Sequence, residues 1–217
     1  MNGWKIILNL GKLVKALKGK WCWIVFQWIL ENQIIGIRGE NGSGKTMLLR
    51  AIAGLIKVQG EIKIDQVKQL ANGNFAREMG ILIEHPGFLN EFTGYKNLEL
   101  LALLNRKKNE IGEVITETLK VVGLDPHDKR RFSKYSLGMK QRLGIAQAII
   151  FRPKVILLDE PTNAIDEVGI KEMKRLFLEL RRQGATLIIA SHDSLFLQGL
   201  ADVTFSMKNS CLSAGEA

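Results

Sequence analysis

Residues 39–46 read Gly-Glu-Asn-Gly-Ser-Gly-Lys-Thr, which fits the phosphate-loop pattern G-x-x-x-x-G-K-[ST] at Gly39, Gly44, Lys45 and Thr46. The chemistry served by this spacing is the binding of a triphosphate. Glycines let successive backbone N–H groups turn inward on phosphate oxygens, where a side chain would collide. A helix following the loop adds the positive end of its dipole at the same place. Lys45 would reach the β- and γ-phosphates, and the Thr46 hydroxyl would take a coordination position on Mg²⁺. The candidate nucleotide contacts are therefore Gly39, Glu40, Asn41, Gly42, Ser43, Gly44, Lys45, Thr46 and the adjoining Met47.

Further along the chain, Asp159 and Glu160 directly follow the apolar run Val155-Ile156-Leu157-Leu158. A parallel α/β sheet places its ligand-facing residues at the carboxyl ends of such strands. Asp159 there has the character of an aspartate holding Mg²⁺ with Thr46, and Glu160 that of a general base polarising a water toward the γ-phosphate. The plain alternative is a surface carboxylate pair at a strand end. His192 follows a second apolar run, residues 186–190, and could bond the γ-phosphate or the attacking water. A lone histidine serves structure as often as function, so these residues alone leave both open. Ser136 and Gly138 stand before an apolar helical run. They read equally as an N-cap or as a second anion-binding helix end. His85 and His127 lie in turn-like contexts and carry no role.

These residues need strands and helices to position them. Residues 34–37 form a short apolar strand before the loop, and residues 47–53 a helix after it, with Gly54 placed as its closing glycine. Residues 60–64 alternate as a half-exposed strand, and residues 80–83 read as a buried one. From 86 to 151 no strand is evident. Leucines from Leu98 to Leu104, the stretch 111–122 closed by Gly123, and the stretch 136–150 all read as helical. Strands return at 155–158 and 186–190, separated by an amphipathic helix at 170–182 with Met173, Leu176, Phe177 and Leu180 as its stripe. The expected fold is α/β: a phosphate-loop NTPase core with a mainly parallel sheet, an N-terminal antiparallel β portion and an inserted helical subdomain. Residues 1–217 make a single ATPase domain, with the core at about 1–85 and 152–217 and the helical subdomain at about 86–151.

Composition bounds the partners. Hydrophobic content of 46% and charged content of 24% are ordinary for a globular domain. The net charge of +9 permits nucleic acid or an anionic membrane face as a partner. The basic clusters at 106–108, 129–131 and 181–182 are not interleaved with aromatics, so they read as solvated surface and no nucleic acid is expected. The two cysteines, Cys22 and Cys211, lack metal-ligand spacing, and a reducing cytoplasm is their simplest setting. No apolar run approaches the roughly 20 residues of a membrane span. Residues 21–30, preceded by several lysines, superficially resemble a signal peptide. Without a small-residue cleavage site, they read better as part of a buried strand pair.

Taken in order, these motifs resemble the ATP-binding subunits of ABC transporters over about residues 33–202. The phosphate loop is followed by a signature at 136–142, a Walker-B strand at 155–160, a D-loop at 163–166 and a switch histidine at His192. The resemblance implies an ATPase using ATP and Mg²⁺, with Glu160, His192 and Lys45 as catalytic residues. It also implies a head-to-tail dimer with a second ATPase subunit, identical or different, in which Ser136 and Gly138 act in trans. An integral-membrane permease would hold the chain peripherally on the cytoplasmic, inner face of the cell membrane.

This chain departs from the family pattern in several places. Tyr135-Ser136-Leu137-Gly138-Met139 stands where Leu-Ser-Gly-Gly-Gln is usual, and Glu84 occupies the Q-loop glutamine position. Glu84 could touch Mg²⁺ or water, which adds it to Thr46 and Asp159 as a metal candidate. Both departures are similar to the bacitracin-resistance and lantibiotic-immunity branch, which implies export of a peptide antibiotic. No aromatic stands at residues 15–17, where the family's adenine-stacking residue is expected; Trp21 and Trp23 are displaced from it. The rival functional reading is a soluble ABC-type regulator acting on ribosomes or nucleic acid. Against it stand a single cassette and no long coiled coil.

Overall fold

The computed structural model describes residues 6–10, 26–30, 32–56, 62–64, 67–69, 79–84, 86–104 and 111–214. Trp21, Cys22, Trp23, residues 60–61 of the strand expected at 60–64, and His85 lie outside the described residues.

In chain order, β1 (Ile6–Leu10) and β2 (Phe26–Leu30) pair antiparallel, and β3 (Ile34–Arg38) leads into α1 (Lys45–Ile52). A second antiparallel pair, β4 (Ile62–Ile64) and β5 (Val67–Gln69), precedes β6 (Met79–Leu82). Then come α2 (Gly94–Leu104), α3 (Ile111–Val121), a 3₁₀ turn at Phe132–Lys134 and α4 (Leu137–Ile149). The chain returns through β7 (Val155–Asp159), α5 (Glu167–Arg182), β8 (Thr186–Ser191), the short α6 (Ser194–Leu197), β9 (Val203–Lys208) and β10 (Cys211–Ala214).

One six-stranded sheet carries the site, in the order β10-β9-β3-β8-β7-β6. All its neighbours run parallel except β10, which returns antiparallel on β9. Uninterrupted apolar runs at β3, β7 and β8 suit strands covered on both faces. Alternate residues supply the two faces. Ile34, Ile156, Leu158, Leu187 and Ile189 join one core with α4, α5 and α6, while Ile35, Ile37, Leu157 and Ile188 join the other with α1. Full burial of each such side chain stabilises the fold by about 1.5–3 kcal/mol. The strands whose carboxyl ends meet the phosphate loop are therefore held by core packing on both faces.

Helix α5 begins at Glu167, earlier than the periodicity at 170–182 suggests. The Asp166 side chain caps it by accepting from the Gly169 N–H at 3.0 Å. Strands β9 and β10 were not expected from the apolar runs. In β9 only Phe205 and Met207 are buried, so its alternation is half polar.

Between residues 86 and 151 the described structure is helical, with one isolated bridge, Thr93 to Arg131. Helix α4 serves two bodies of packing. Leu143 sits by Tyr135 and Gly94 of the helical region, while Gly144 packs on Leu82 and the Ala148 backbone lies against Gly80 of β6. Among the described residues, no helix is long and apolar enough to cross a membrane.

Candidate active site

The loop at 39–46 leaves the carboxyl end of β3 and is fastened to its neighbours by backbone bonds. The Gly39 N–H donates to the Ser191 carbonyl at 3.3 Å, and the Ser43 N–H to the Glu40 carbonyl at 3.2 Å. Gly44, the residue before α1, has φ 108°, a left-handed conformation that a side chain would strain. Helix α1 has no side-chain cap, so the partial positive charge at its N-terminus is left for an anion. Lys45, only 5% exposed, donates from Nζ to the carbonyls of Gly39 at 2.7 Å and Glu40 at 3.2 Å. The same ammonium lies 3.1 Å from Glu160 Oε1.

Beside it, the Thr46 hydroxyl donates to Asp159 Oδ2 at 2.7 Å. Asp159 is buried at the end of β7, and its other oxygen, Oδ1, has no hydrogen-bond partner. Burial raises its pKa above the usual carboxylate value, and the bond from Thr46 opposes that rise. Glu160 and Glu84 push it further up, while Lys45 pulls it down. An orphaned carboxylate oxygen next to a threonine hydroxyl is a hard-oxygen donor set, and it fits Mg²⁺, which keeps few protein ligands when phosphates supply the rest.

Glu160 departs from the strand at φ 47°, left-handed for a non-glycine residue. Such a conformation costs about 1–3 kcal/mol and must be held by its surroundings. Its N–H donates to the Ala190 carbonyl at 2.8 Å. Its carbonyl accepts from the Asn163 N–H at 3.2 Å and from Gln141 Nε2 at 3.0 Å. The carboxylate accepts from the His192 N–H at 3.0 Å and the Ser191 hydroxyl at 3.3 Å, and His192 Nδ1 lies 2.8 Å from Oε2. Half-exposed His192 thus backs the glutamate from the solvent side.

A cleft of about 520 Å³ opens over these groups, lined by Asn41, Gly42, Gly44, Lys45, Thr46, Met47, Asp159, Glu160, Asn209 and Ser210. Of the other expected loop contacts, Gly39 and Glu40 present carbonyls to Lys45, and Ser43 is buried with its hydroxyl unpartnered. His192 reaches the cleft only through Glu160. Ser136 and Gly138 do not line it. Ser136 caps α4, its Oγ accepting from the Met139 N–H at 3.2 Å. Glu84 also stands apart, exposed at φ 60° and joined to Arg50 of α1 at 2.6 Å.

Sequence reasoning missed Asn209, Ser210, Ser191 and Gln141. Asn209 and Ser210 have φ 51° and 62°, the turn that joins β9 to β10, and the Ser210 N–H donates to the Ser43 carbonyl at 2.8 Å. A polar dipeptide between an alternating run and a short second strand was the available signal. Gln141 lay inside the signature stretch but carried no distinguishing pattern of its own.

A phosphate loop at the carboxyl edge of a parallel sheet, with a threonine–aspartate pair and a held glutamate beside it, defines a phosphate-loop nucleoside triphosphatase. The family model of the ABC transporter matches residues 28–163. An uncharacterized ABC transporter ATP-binding protein of Bacillus subtilis (strain 168), YybJ, is 41% identical over 184 residues, covering 84% of each chain. The bacitracin transport ATP-binding protein BcrA of Bacillus licheniformis is 41% identical over 179 residues, 80% of this chain and 57% of BcrA, so the chain spans little more than half of that relative. The dimeric post-hydrolysis structure of the ATP-binding cassette MJ0796 bound to ADP and Pi superposes with TM-score 0.83 at 22% identity, covering 98% of this chain and 99% of that one. That last likeness speaks for the fold alone. The chain belongs to the ABC transporter family, in its ATP-binding class, and is an ATPase.

Proposed function

We propose that this chain hydrolyses ATP to power export of a peptide antibiotic through a separate integral-membrane permease. It closes head-to-tail on a second ATPase subunit and stays peripheral to the inner membrane face through that permease. The cargo class is supported by the relative named for bacitracin transport, together with Glu84 and the altered signature at Tyr135 to Met139. The observation that carries the reading is the division of the site. Lys45, Thr46, Asp159 and Glu160 converge on one cleft, while Ser136 and Gly138 lie outside it on the same chain.

The geometry suggests an order of events. A γ-phosphate over the loop competes for the Lys45 ammonium, which the chain otherwise shares between two loop carbonyls and Glu160. With that ion pair loosened, the Glu160 carboxylate is free to act as a base while His192 and Ser191 keep it aimed. A water gives its proton to Glu160 as its oxygen bonds to the γ-phosphorus. The bond from that phosphorus to the β–γ bridging oxygen breaks, leaving ADP and inorganic phosphate. Thr46 and Asp159 would hold Mg²⁺, which when bound neutralises charge on the β- and γ-phosphate oxygens. Ser136 and Gly138, at the N-terminus of α4, would meet the γ-phosphate bound by the partner.

The test is complementation between two damaged chains. Ser136→Arg blocks the signature, and Glu160→Gln removes the base. Each variant alone should release almost no phosphate. Mixed together they form dimers with one intact composite site, so turnover should reappear. Failure of the mixture to recover activity, with both variants folded and binding ATP, removes the trans role of Ser136.

A further inference from the structure

We propose that Gln141 is a positioning residue for the hydrolytic step, holding Glu160 through its backbone rather than its carboxylate. The inference rests on the ATPase reading above, in which Glu160 is the general base. The residue sits at φ 47°, and nothing intrinsic to a glutamate favours that conformation. Its N–H is tied to Ala190 of β8, and its carboxylate to Ser191, His192 and Lys45. All of those belong to the sheet edge and the phosphate loop. Its carbonyl closes the turn to Asn163 and takes a second donor, Gln141 Nε2, at 3.0 Å. Among the described residues, Gln141 is the contact of Glu160 that comes from α4.

Two further contacts seat the same stretch of α4 on the segment after Glu160. A Cβ at Gly138 would come within 2.6 Å of the Ala164 carbonyl, and Ala164 itself has φ 60°. Arg142 donates to Glu172 of α5 at 3.1 Å and to the Val122 carbonyl at 2.7 Å. Helix α4 therefore lies close along residues 160–172, and Gln141 converts that seating into a bond on the base's own peptide. A donor lost there leaves the carbonyl with only its turn bond and lets the peptide relax from the left-handed region. The carboxylate would then swing off its line to the γ-phosphate. Because Ser136 caps α4, the placement of one chain's base depends on the helix that the chain offers to its partner's nucleotide.

The donor, not the bulk, is what the proposal requires, and substitutions can separate the two. Methionine, glutamate and lysine are similar in length and all are good helix formers. In the purified 217-residue chain, Gln141→Met should lower kcat by roughly tenfold, the scale of a small misplacement of a catalytic group. KM for ATP and the melting temperature should stay close to wild type. Gln141→Glu, which sets an acceptor against the carbonyl, should fall further, and Gln141→Lys, which restores a donor, should recover most of the rate. Equal losses in all three variants would assign Gln141 to packing and overturn the proposal. So would wild-type turnover in Gln141→Met, provided wild type hydrolyses ATP and Glu160→Gln does not. A wild-type chain no faster than Glu160→Gln would instead bring down the ATPase reading, and this proposal with it.

Discussion

Helices α1 and α4 both begin beside a serine and a glycine, Ser43 and Gly44 before α1 and Ser136 and Gly138 at α4, and their N-termini are finished differently. Helix α1 has left-handed Gly44 before it and no side-chain cap, with a buried lysine at its first position. Helix α4 has Ser136 before it, and that side chain already satisfies the Met139 N–H. Helix ends leave backbone donors without partners; the Ser136 side chain satisfies one of them at α4, and no side chain does so at α1. The difference teaches where affinity and turnover reside. The α1 end should supply most of the grip on a triphosphate, whereas the α4 end is stable by itself and is available to a partner.

The largest effect expected from this contrast is on nucleotide affinity. Lys45→Ala removes a buried cation from the loop and should weaken ATP binding by about a hundredfold, as loss of charged hydrogen bonds worth about 1.5–3 kcal/mol implies. Ser136→Ala should leave the affinity of the isolated chain unchanged. It should instead lower stability by about 1 kcal/mol, the cost of a lost cap. Titration calorimetry and thermal melting of the two variants provide the comparison. A Ser136→Ala chain that binds ATP as poorly as Lys45→Ala would erase the distinction between the two helix ends.

The first helix end was legible in the sequence because phosphate binding forces glycine, lysine and threonine into one contiguous stretch. The strands β3, β7 and β8 were legible because burial on both faces removes polar residues from them. What escaped was assembled across distance or written weakly. The bond from Gln141 to the Glu160 carbonyl spans 19 residues and uses a backbone acceptor, which every residue possesses. Asn209 and Ser210 reach the cleft from a turn between a half-exposed strand and a short edge strand, where apolar periodicity is faint. Helix α5 starts earlier than its apolar periodicity indicates because Asp166 caps a first turn whose exposed Glu167 and Val168 carry no apolar stripe.

A middle-sized effect concerns the metal side of the α1 end. Burial raises the folded pKa of Asp159 above the ordinary carboxylate value. For a group raised on folding, the stabilising contribution is complete below the unfolded value and is lost as pH rises through the folded value. As pH rises past the unfolded value, the raised folded pKa therefore costs stability. Asp159→Asn should melt higher than wild type at pH 7.5 without divalent metal, by about 2–4 °C if the cost is near 1 kcal/mol. The advantage should shrink as pH falls and wild-type Asp159 takes up its proton. Added Mg²⁺ with nucleotide should raise the wild-type melting temperature more than that of the variant. A variant that melts lower than wild type at pH 7.5 would mean that the Thr46 bond outweighs desolvation.

The smallest effect tests a residue that lies between the two helix ends. Glu84 is implied as a metal candidate by its place at the Q-loop position, but its carboxylate is joined to Arg50 in the last turn of α1 and does not line the cleft. Both partners are substantially exposed, at 35% and 54%, so the pair should contribute only about 0.2–1 kcal/mol and weaken with salt. If Arg50 is its main partner, Glu84→Gln should shift the melting temperature by no more than a degree or two. Neither the ATP affinity nor the Mg²⁺ dependence of turnover should move appreciably. Loss of the negative charge would ease Asp159 slightly toward its ordinary pKa, since Glu84 is among the groups that raise it. If Glu84→Gln instead shifts the Mg²⁺ requirement tenfold, Glu84 leaves Arg50 during the cycle and enters the metal's coordination. The comparison would then need a third member, because a charge seated on the far end of α1 would also be part of what its N-terminus binds.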